Sequence, residues 1–389
     1  MVKFLLWSRG GNTVLIDGAP EIAARLRRWY HPEGARQFDE NFLGNVCFSA
    51  PFAVADGPVA EEREDKPSGG MPGRNFDGCR IGFDLGGSDR KCAAFYEGEL
   101  VFSEEVKWNP YFESDPSYHV AGIRDSLRRA AEHLPRVDAI GGSAAGIYIR
   151  NEPKVASLFR GIGKEDFNRA IRPIFRELQR EWGGVPFEVA NDGDVTALAG
   201  AIGMGENGVL GIAMGTSLAA GYIDPDGHLT GWINELAFAP VDYREGGPVD
   251  EWSGDGGCGA QYFSQQAVGR LLPASGLEAD PSLSLPEKLE LVQKKMGEGD
   301  ERAADIYQTI GVQFGYSIAH YAGFYDFRHL LFLGRVSSGA GGELILAEAR
   351  RVLELEFPDI SRRISFQQPD EQSKRHGQAM AAASLPSLS

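Results

Sequence analysis

The feature that most constrains this 389-residue chain is a glycine turn between two apolar strands at residues 81–94. The segment reads IGFDLGGSDRKCAA, so a strand carrying Asp84 ends at Gly86 and Gly87. Because glycine has no side chain, backbone amides at such a bend can approach an anionic oxygen closely. Ser88 adds a hydroxyl donor, and Asp84 could hold a hydrated cation beside the anion. The pattern indicates a phosphate site, but it also fits a tight hairpin that binds nothing.

A second loop of the same kind lies more than a hundred residues further on, at VLGIAMGTSLAAGYI (209–223). Its turn, Gly215-Thr216-Ser217, again joins two apolar strands. Neither loop is a GxxxxGK[ST] or GxGxxG motif. Between them, VANDGD places Asn191 and Asp192 where a strand passes into a helix, and ligands bind at such strand ends in open α/β sheets. The arrangement predicts a nucleotide held between two halves of the molecule.

Taken together and in this order, these motifs resemble the ROK family of sugar kinases and repressors, within the sugar kinase/actin/Hsp70 superfamily. The resemblance covers roughly residue 80 to the C-terminus and rests on five segments. They are DLGGS (84–88), NDGD (191–194), MGTS (214–217), NEL (234–236) and LFLGRVSSGAGG (331–342).

The resemblance implies an α/β chain with a two-lobed actin-like ATPase (ribonuclease H-like) fold, a central cleft and an N-terminal extension. We expect the extension and a linker at residues 1–79, the first lobe at 80–204 and the second at 205–373. A C-terminal helix at 374–384 is expected to return to the first lobe. Within the extension we expect a hairpin of Phe4–Trp7 with Thr13–Ile16, a helix at Pro20–Tyr30 and a linker at 56–74. A helix is expected over Lys164–Glu181.

The same resemblance implies ATP and Mg²⁺ as cofactors. Phosphoryl transfer to a sugar hydroxyl needs a carboxylate that takes the hydroxyl proton, and Asp192 is our candidate for this base. The alternative is that Asp192 caps the following helix, although Asp194 is the better candidate for the cap. Asp84 would hold Mg²⁺ through water, or else stabilise its turn. The remaining cofactor-binding candidates are Gly86, Gly87, Ser88, Gly215, Thr216, Ser217 and, on the adenosine side, Gly334.

The expected sugar-binding residues are Asn191, Asn234, Glu235 and Gln265. Glu235 corresponds to the Glu of the family's Glu-x-Gly-His motif, but Phe238 stands where that motif has a histidine. Of the family's zinc cluster only Cys258 remains, and because zinc needs four ligands we expect no structural zinc site. Gln265 falls at the family's sugar-binding Glu. The sugar pocket is therefore altered, and the identity of the sugar does not follow from the resemblance.

The amino-acid composition further restricts the classes of function that are possible. The formal net charge of −16 argues against general nucleic-acid binding, because phosphate backbones would be repelled. The four cysteines have no CxxC spacing, and the N-terminus is typical of neither a signal peptide nor a spanning helix. We expect a cytoplasmic protein with a sugar substrate, no nucleic-acid or membrane partner, and a homodimeric state.

Three functions remain open from the sequence. The first is an ATP-dependent sugar kinase with Asp192 as base. The second is a sugar-sensing protein without turnover, which the loss of the histidine and zinc ligands favours. The third is an activase-type ATPase, ranked last because those proteins hold an iron–sulfur cluster with closely spaced cysteines.

Overall fold

The structure, a computed structural model, describes residues 1–58, 73–368 and 371–388, with the side chains of 371–376 outside the description. The linker predicted at 56–74 therefore falls largely outside the described residues. Two lobes, each built on a mixed sheet, make up the molecule beyond the N-terminal segment (residues 1–58).

The N-terminal segment is not the predicted hairpin. Phe4–Trp7 belongs to a helix that buries Phe4, Leu6 and Trp7, so the expected strand there is wrong. The strand at Thr13–Ile16 exists, but it pairs in parallel with a strand forty residues away. A π-helical stretch, Phe42–Phe48, precedes that partner. The elements are α1 (Val2–Arg9), β1 (Thr13–Ile16), α2 (Pro20–Trp29), α3 (Gln37–Asn41) and β2 (Ala53–Asp56).

The first lobe is built on a five-stranded sheet. Its elements are β3 (Cys79–Leu85), β4 (Asp89–Tyr96), β5 (Glu99–Lys107), α4 (Pro116–Ala131), β6 (Ala139–Ala144), β7 (Ile147–Ile149), β8 (Glu152–Val155), α5 (Lys164–Asp166), α6 (Ile174–Glu181), β9 (Phe187–Asn191) and α7 (Asp192–Met204). The strand order is β5-β4-β3-β6-β9, with β3, β4 and β5 antiparallel and β6 and β9 parallel to β3. The helix expected over Lys164–Glu181 is interrupted by a π-helical turn at Phe167–Ile171 and by Pro173, which has no amide hydrogen to donate.

The second lobe repeats this plan with four strands in the order β11-β10-β12-β13. Strand β11 is antiparallel to β10, whereas β12 and β13 are parallel to it. Its elements are β10 (Val209–Met214), β11 (Leu218–Ile223), α8 (Gln265–Ser275), α9 (Leu285–Gly297), α10 (Glu301–Tyr321), β12 (His329–Leu333), α11 (Gly339–Glu356), α12 (Pro358–Arg363), β13 (Ser365–Gln367) and, returning to the first lobe, α13 (Glu371–Ala383).

Helix α13 packs on the first sheet because two neighbouring strands present glycine to it. Gly82 and Gly141 are partners in the β3–β6 register. A Cβ atom at Gly82 would overlap the carbonyl oxygen of Ala379, and one at Gly141 would overlap that of Ala382. The absence of these two side chains sets the distance between helix and sheet, and thereby fixes the strands whose ends carry the candidate site.

We expect Gly141→Ala to lower the free energy of unfolding by about 1–3 kcal/mol, because the added methyl group collides with helix backbone that cannot rotate away. Denaturant unfolding would measure the change. Gly297→Ala, at the end of α9 with no atom within 4 Å of the added Cβ, is the control and should be neutral or slightly stabilising. Equal stability of the two variants would contradict this account of the helix–sheet contact.

Candidate active site

Asp84 lies near the end of the central strand β3, beside Ser143 on β6. The two residues are register partners, and Ser143 Oγ donates a hydrogen bond of 2.7 Å to Asp84 Oδ1. Asp84 is only 8% exposed, and burial raises the pKa of its carboxyl group. Sequence reasoning did not identify Ser143, although GGSAAG follows an apolar strand and its serine occupies the same sheet edge.

Asn191 and Asp192 lie at the junction of β9 and α7, two strands away from Asp84. Asn191 caps the helix: its Oδ1 accepts from the Gly193 amide at 2.7 Å, while its Nδ2 donates to the Gly146 carbonyl at 2.7 Å. Asp192 Oδ1 also accepts from the Gly193 amide, at 3.0 Å. Both carboxylate and amide thus stand at the carboxyl edge of the parallel strands, as the sequence predicts.

Asp194 does not cap α7, so its assignment as the better helix cap is wrong, because Asn191 occupies the N-cap position. Its Oδ1 accepts hydrogen bonds from the Asn234 side-chain amide at 2.9 Å and from the Tyr222 backbone amide at 3.2 Å. Both donors belong to the second lobe, and Asp194 therefore links the start of α7 to β11. Burial raises the pKa of Asp194 to about 7.

The electrostatics of Asp192 suit a proton acceptor. Burial, followed by the charge of Asp84, raises the pKa of the Asp192 carboxyl group to about 6. Its neighbour Gly193 packs on β11 so closely that a Cβ atom there would overlap the Ala220 carbonyl oxygen. Ala220 is three residues from Ser217, so Asp192 stands between Asp84 on one side and the strand that leaves the second glycine turn on the other.

The first glycine turn is closed by backbone bonding. The Gly86 amide donates to the Asp89 carbonyl at 2.9 Å, and Ser88 Oγ donates to the Asp89 carboxylate at 2.7 Å. One face of Gly87 is covered by Tyr111, whose hydroxyl an added Cβ would overlap. The Arg160 guanidinium lies 4.2 Å from the Tyr111 ring centroid. Tyr111 was missed in the sequence because its loop carries no motif.

The second glycine turn is open to solvent. The Gly215 amide donates to the Ser217 carbonyl at 2.9 Å, and Thr216 and Ser217 are exposed. Gly334 lies against the end of the same strand: it has φ = +107°, and a Cβ atom there would overlap the backbone of Met214. The structure thus brings Gly334 beside the second turn, through the parallel pairing of β10 with β12.

Gln265 begins helix α8 directly beneath this turn. Its backbone amide donates to the Gly215 carbonyl at 2.9 Å. The side chain is fully buried, and neither Nε2 nor Oε1 has a hydrogen-bond partner among the described residues. A buried amide without partners destabilises a fold, so this pair of atoms requires an explanation.

Of the two predicted sugar ligands in the NEL segment, the structure leaves one available. Asn234 has φ = +48°, donates to Asp194 and accepts from the Tyr325 hydroxyl at 3.1 Å, so its side chain braces the lobe contact. Glu235 is only partly buried. Burial, and then the charges of Asp192 and Asp194, raise the pKa of Glu235 to about 8. Near neutral pH this carboxyl group is largely protonated and can donate as well as accept.

The positions that correspond to the family's zinc ligands are apolar or protonated. Phe238 packs its ring against Trp7, with centroids 4.6 Å apart. Burial raises the pKa of the Cys258 thiol to about 11, which disfavours the thiolate that a metal needs. Within the described residues, one group has three possible ligand atoms within 4.8 Å of one another: Asp224, Asp226 and His228, in the loop after β11.

The sequence matches no known family model and no curated protein. Solved structures do match. The ROK hexokinase from Thermus thermophilus is 19% identical, with a TM-score of 0.61, over 79% of this chain and 97% of the other. A ROK family glucokinase from Streptomyces griseus, in complex with glucose and AMPPNP, is 23% identical, with a TM-score of 0.56, over 79% and 99%.

A ROK family transcriptional regulator, a homologue of the E. coli MLC protein, is 18% identical, with a TM-score of 0.59, over 80% of this chain and 79% of the other. No described helix is long and apolar enough to cross a membrane. The expected fold is confirmed: from its first glycine turn onward, this chain has the two-lobed, actin-like ATPase architecture of the ROK kinases and regulators.

Proposed function

We propose that this protein is a divergent ROK family member that transfers a phosphoryl group from ATP to a sugar hydroxyl, with Asp192 as the general base. The observation that carries the proposal is the position and pKa of Asp192. The carboxyl group lies where β9 passes into α7, and burial together with Asp84 raises its pKa to about 6. A base of that pKa is ionised at neutral pH yet still basic enough to accept a proton in the transition state.

In this mechanism Asp192 takes the proton of the attacking hydroxyl as the new oxygen–phosphorus bond forms and the bond to the leaving ADP oxygen breaks. Asn191 holds the start of α7, and thereby Asp192, through its bonds to Gly193 and Gly146. The amides of the two glycine turns are the donors for phosphate oxygens. Tyr111 stands at the first of these turns, so its hydroxyl is a further candidate donor to a phosphate bound there.

The carboxylates of Asp84 and Asp192 fit a bound magnesium ion, because Asp84 is buried, Asp192 is partly buried, and the charge of Asp84 disfavours ionisation of Asp192. A divalent cation bound between phosphates and Asp84 would relieve that repulsion and neutralise developing charge on the phosphates. We assign Asp84 as the residue that would hold the ion, through water, with Ser143 fixing the carboxylate by its hydrogen bond.

At the sugar end we assign Glu235 and Gln265. The charge of Asp192 contributes to the raised pKa of Glu235, which supports a role for both carboxyl groups in one site. Gln265 offers a donor and an acceptor that have no hydrogen-bond partner among the described residues, next to the second turn. We replace the role predicted for Asn234 by a structural one, because both of its side-chain polar atoms bond to protein.

A second candidate is a sugar-binding regulator without turnover. The observation that favours it is the aromatic packing at Phe238, which leaves no metal-binding side chain there. A single-turnover assay with γ-labelled ATP against a panel of hexoses and amino sugars separates the two. Label transferred to any sugar supports the kinase, whereas sugar binding without transfer supports the regulator.

Asp192→Asn is expected to lower the transfer rate about 10²–10⁴-fold, because the amide cannot accept the hydroxyl proton. It should leave the rise in melting temperature caused by ADP and Mg²⁺ largely intact, since the phosphate turns are unchanged. Rapid-quench measurement of transfer, alongside thermal unfolding, tests both. Asp226→Asn, in an exposed loop, is the control for the same chemical change and should keep the wild-type rate. Near-normal transfer by Asp192→Asn would overturn the base assignment.

The raised pKa of Asp192 predicts the acid limb of the pH profile. kcat/KM should fall about tenfold per pH unit below about pH 6 and level off above it, because the ionised carboxylate is the active form. Glu235→Gln is the matched control. Whatever its effect on the rate, the acid limb should stay at the same pH, because burial and the charge of Asp84 raise the pKa of Asp192. A limb with its midpoint near pH 4, or one that moves with Glu235→Gln, contradicts the assignment.

Gln265→Met, a change that conserves volume, should raise the free energy of unfolding by about 1–3 kcal/mol in the absence of ligand, because it removes two buried polar groups without partners. It should also weaken sugar binding, because the amide is lost to the ligand. Gln261→Met, which removes a buried amide that bonds Gln266, is the control and should destabilise. Denaturant unfolding and calorimetry measure the two effects. A destabilised Gln265→Met would show that the amide is satisfied within the protein.

A further inference from the structure

We propose that the N-terminal segment helps to form the sugar-binding end of the site. Its helices α1 and α3 position the backbone that carries Glu235. The inference rests on the proposed function only in assigning Glu235 to the sugar. The contacts themselves join the segment to residues 234–255 at three points: a backbone pair, a buried ion cluster and an aromatic stack.

The backbone contact uses the C-terminal end of α1. The last carbonyls of a helix have no partner within it and must be satisfied from outside. Here the Trp7 carbonyl accepts from the Glu235 amide at 2.9 Å, and the Ser8 carbonyl accepts from the Asn234 amide at 3.0 Å. Asn234 adopts a left-handed backbone conformation that non-glycine residues seldom take, and these bonds hold it there. The conformation of the NEL segment therefore depends on α1.

The ion cluster holds the C-terminal end of residues 234–255, at Asp255. Lys3 Nζ is 6% exposed and bonds Asp39 Oδ1 at 2.9 Å and the carboxylate of Asp255. Arg36 forms a second ion pair with Asp255, and Trp7 Nε1 donates to Asp39 at 2.8 Å. Charges removed from water in this way need partners, so the cluster connects α1, α3 and the loop at Asp255 as one unit.

The aromatic stack fills the space between these two contacts. The Phe238 ring lies 4.6 Å from that of Trp7 and 5.5 Å from that of Phe38. On its other side it meets Trp252 at 6.3 Å. Phe238 is three residues after Glu235, so the stack holds the segment that carries Glu235 against α1 and α3.

The N-terminal segment also reaches the first lobe. Its π-helical stretch packs on β8, and Cys47 belongs to the same buried cluster as Ile147 of β7. Burial, followed by the charge of Glu235, raises the pKa of the Cys47 thiol to about 12. The N-terminal segment thus contacts both lobes, and none of the contacts described above involves the glycine turns.

Trp7 is accordingly a positioning residue for the sugar end alone. We expect Trp7→Leu to raise the KM for the sugar at least fivefold and to leave the KM for ATP within twofold. Hydrogen exchange at the Asn234 and Glu235 amides should become faster, whereas exchange in α7 should not change. Trp7→Phe, which keeps the ring, should restore most of the sugar KM. Trp29→Leu, on the exposed side of α2, is the control and should match the wild type.

Unchanged exchange at the Asn234 and Glu235 amides in Trp7→Leu would overturn the proposal. An equal rise of both KM values would also overturn it, because it would mean general loosening of the fold. If Trp7→Leu does not fold, Phe238→Leu removes the ring on the other side of the same contact and gives the same measurements. If the wild type phosphorylates no sugar, the proposed function fails, and the exchange measurement decides the positioning role independently.

Discussion

The contact between the start of α7 and strand β11 is the constraint on which the arrangement of the two lobes depends. The backbones of Gly193 and Gly221 are in close contact. A Cβ atom on Gly193 would overlap the Ala220 carbonyl oxygen, and one on Gly221 would overlap the Gly193 carbonyl oxygen. Asp194, the next residue, accepts bonds from Tyr222 and Asn234 of the second lobe. The pKa of Asp192, the residue before, is raised by burial and by the charge of Asp84 on the central strand of the first lobe. A single helical turn therefore joins the lobes and carries the candidate base.

This arrangement concentrates carboxyl groups where the protein has few cations to balance them. Asp192 and Asp194 both raise the pKa of Glu235, and Asp84 raises that of Asp192. Two responses are possible for such groups: they take up protons, or they bind a cation. The first explains why Glu235 is largely protonated near neutral pH, and the second fits a magnesium ion beside Asp84. In the proposed mechanism these two responses give the cluster a base, a hydrogen-bond donor and a metal-binding group.

The sequence predicted the parts of the site that repeat a local pattern. The glycine turns and the Asn-Asp strand end lie where the alternation of apolar and glycine-rich segments placed them. It could not predict α1, because VKFLLWSR is as apolar as a buried strand, and its helical form is stabilised by carbonyl bonds to residues more than two hundred positions away. Asp194 was misassigned for a similar reason, because its partners Tyr222 and Asn234 lie 28 and 40 residues away. Tyr111 was missed because its loop carries no motif.

The resemblance to ROK proteins and the departures from it have one physical explanation. The nucleotide end depends on backbone, on glycine turns and on strand register, all of which tolerate large sequence change and keep the fold recognisable at 19–23% identity. The sugar end depends on side chains, and here it is rebuilt. Where the resemblance would place a histidine, Phe238 stacks on Trp7, and Lys3 pairs with Asp39 and Asp255 nearby. Buried aromatic rings and paired charges can hold a loop in place, as a metal ion can. Here the N-terminal segment supplies the rings of Trp7 and Phe38 and the charges of Lys3 and Asp39. Phe238 and the N-terminal segment therefore form one structural unit, because Trp7 and Phe38 supply the rings against which Phe238 packs.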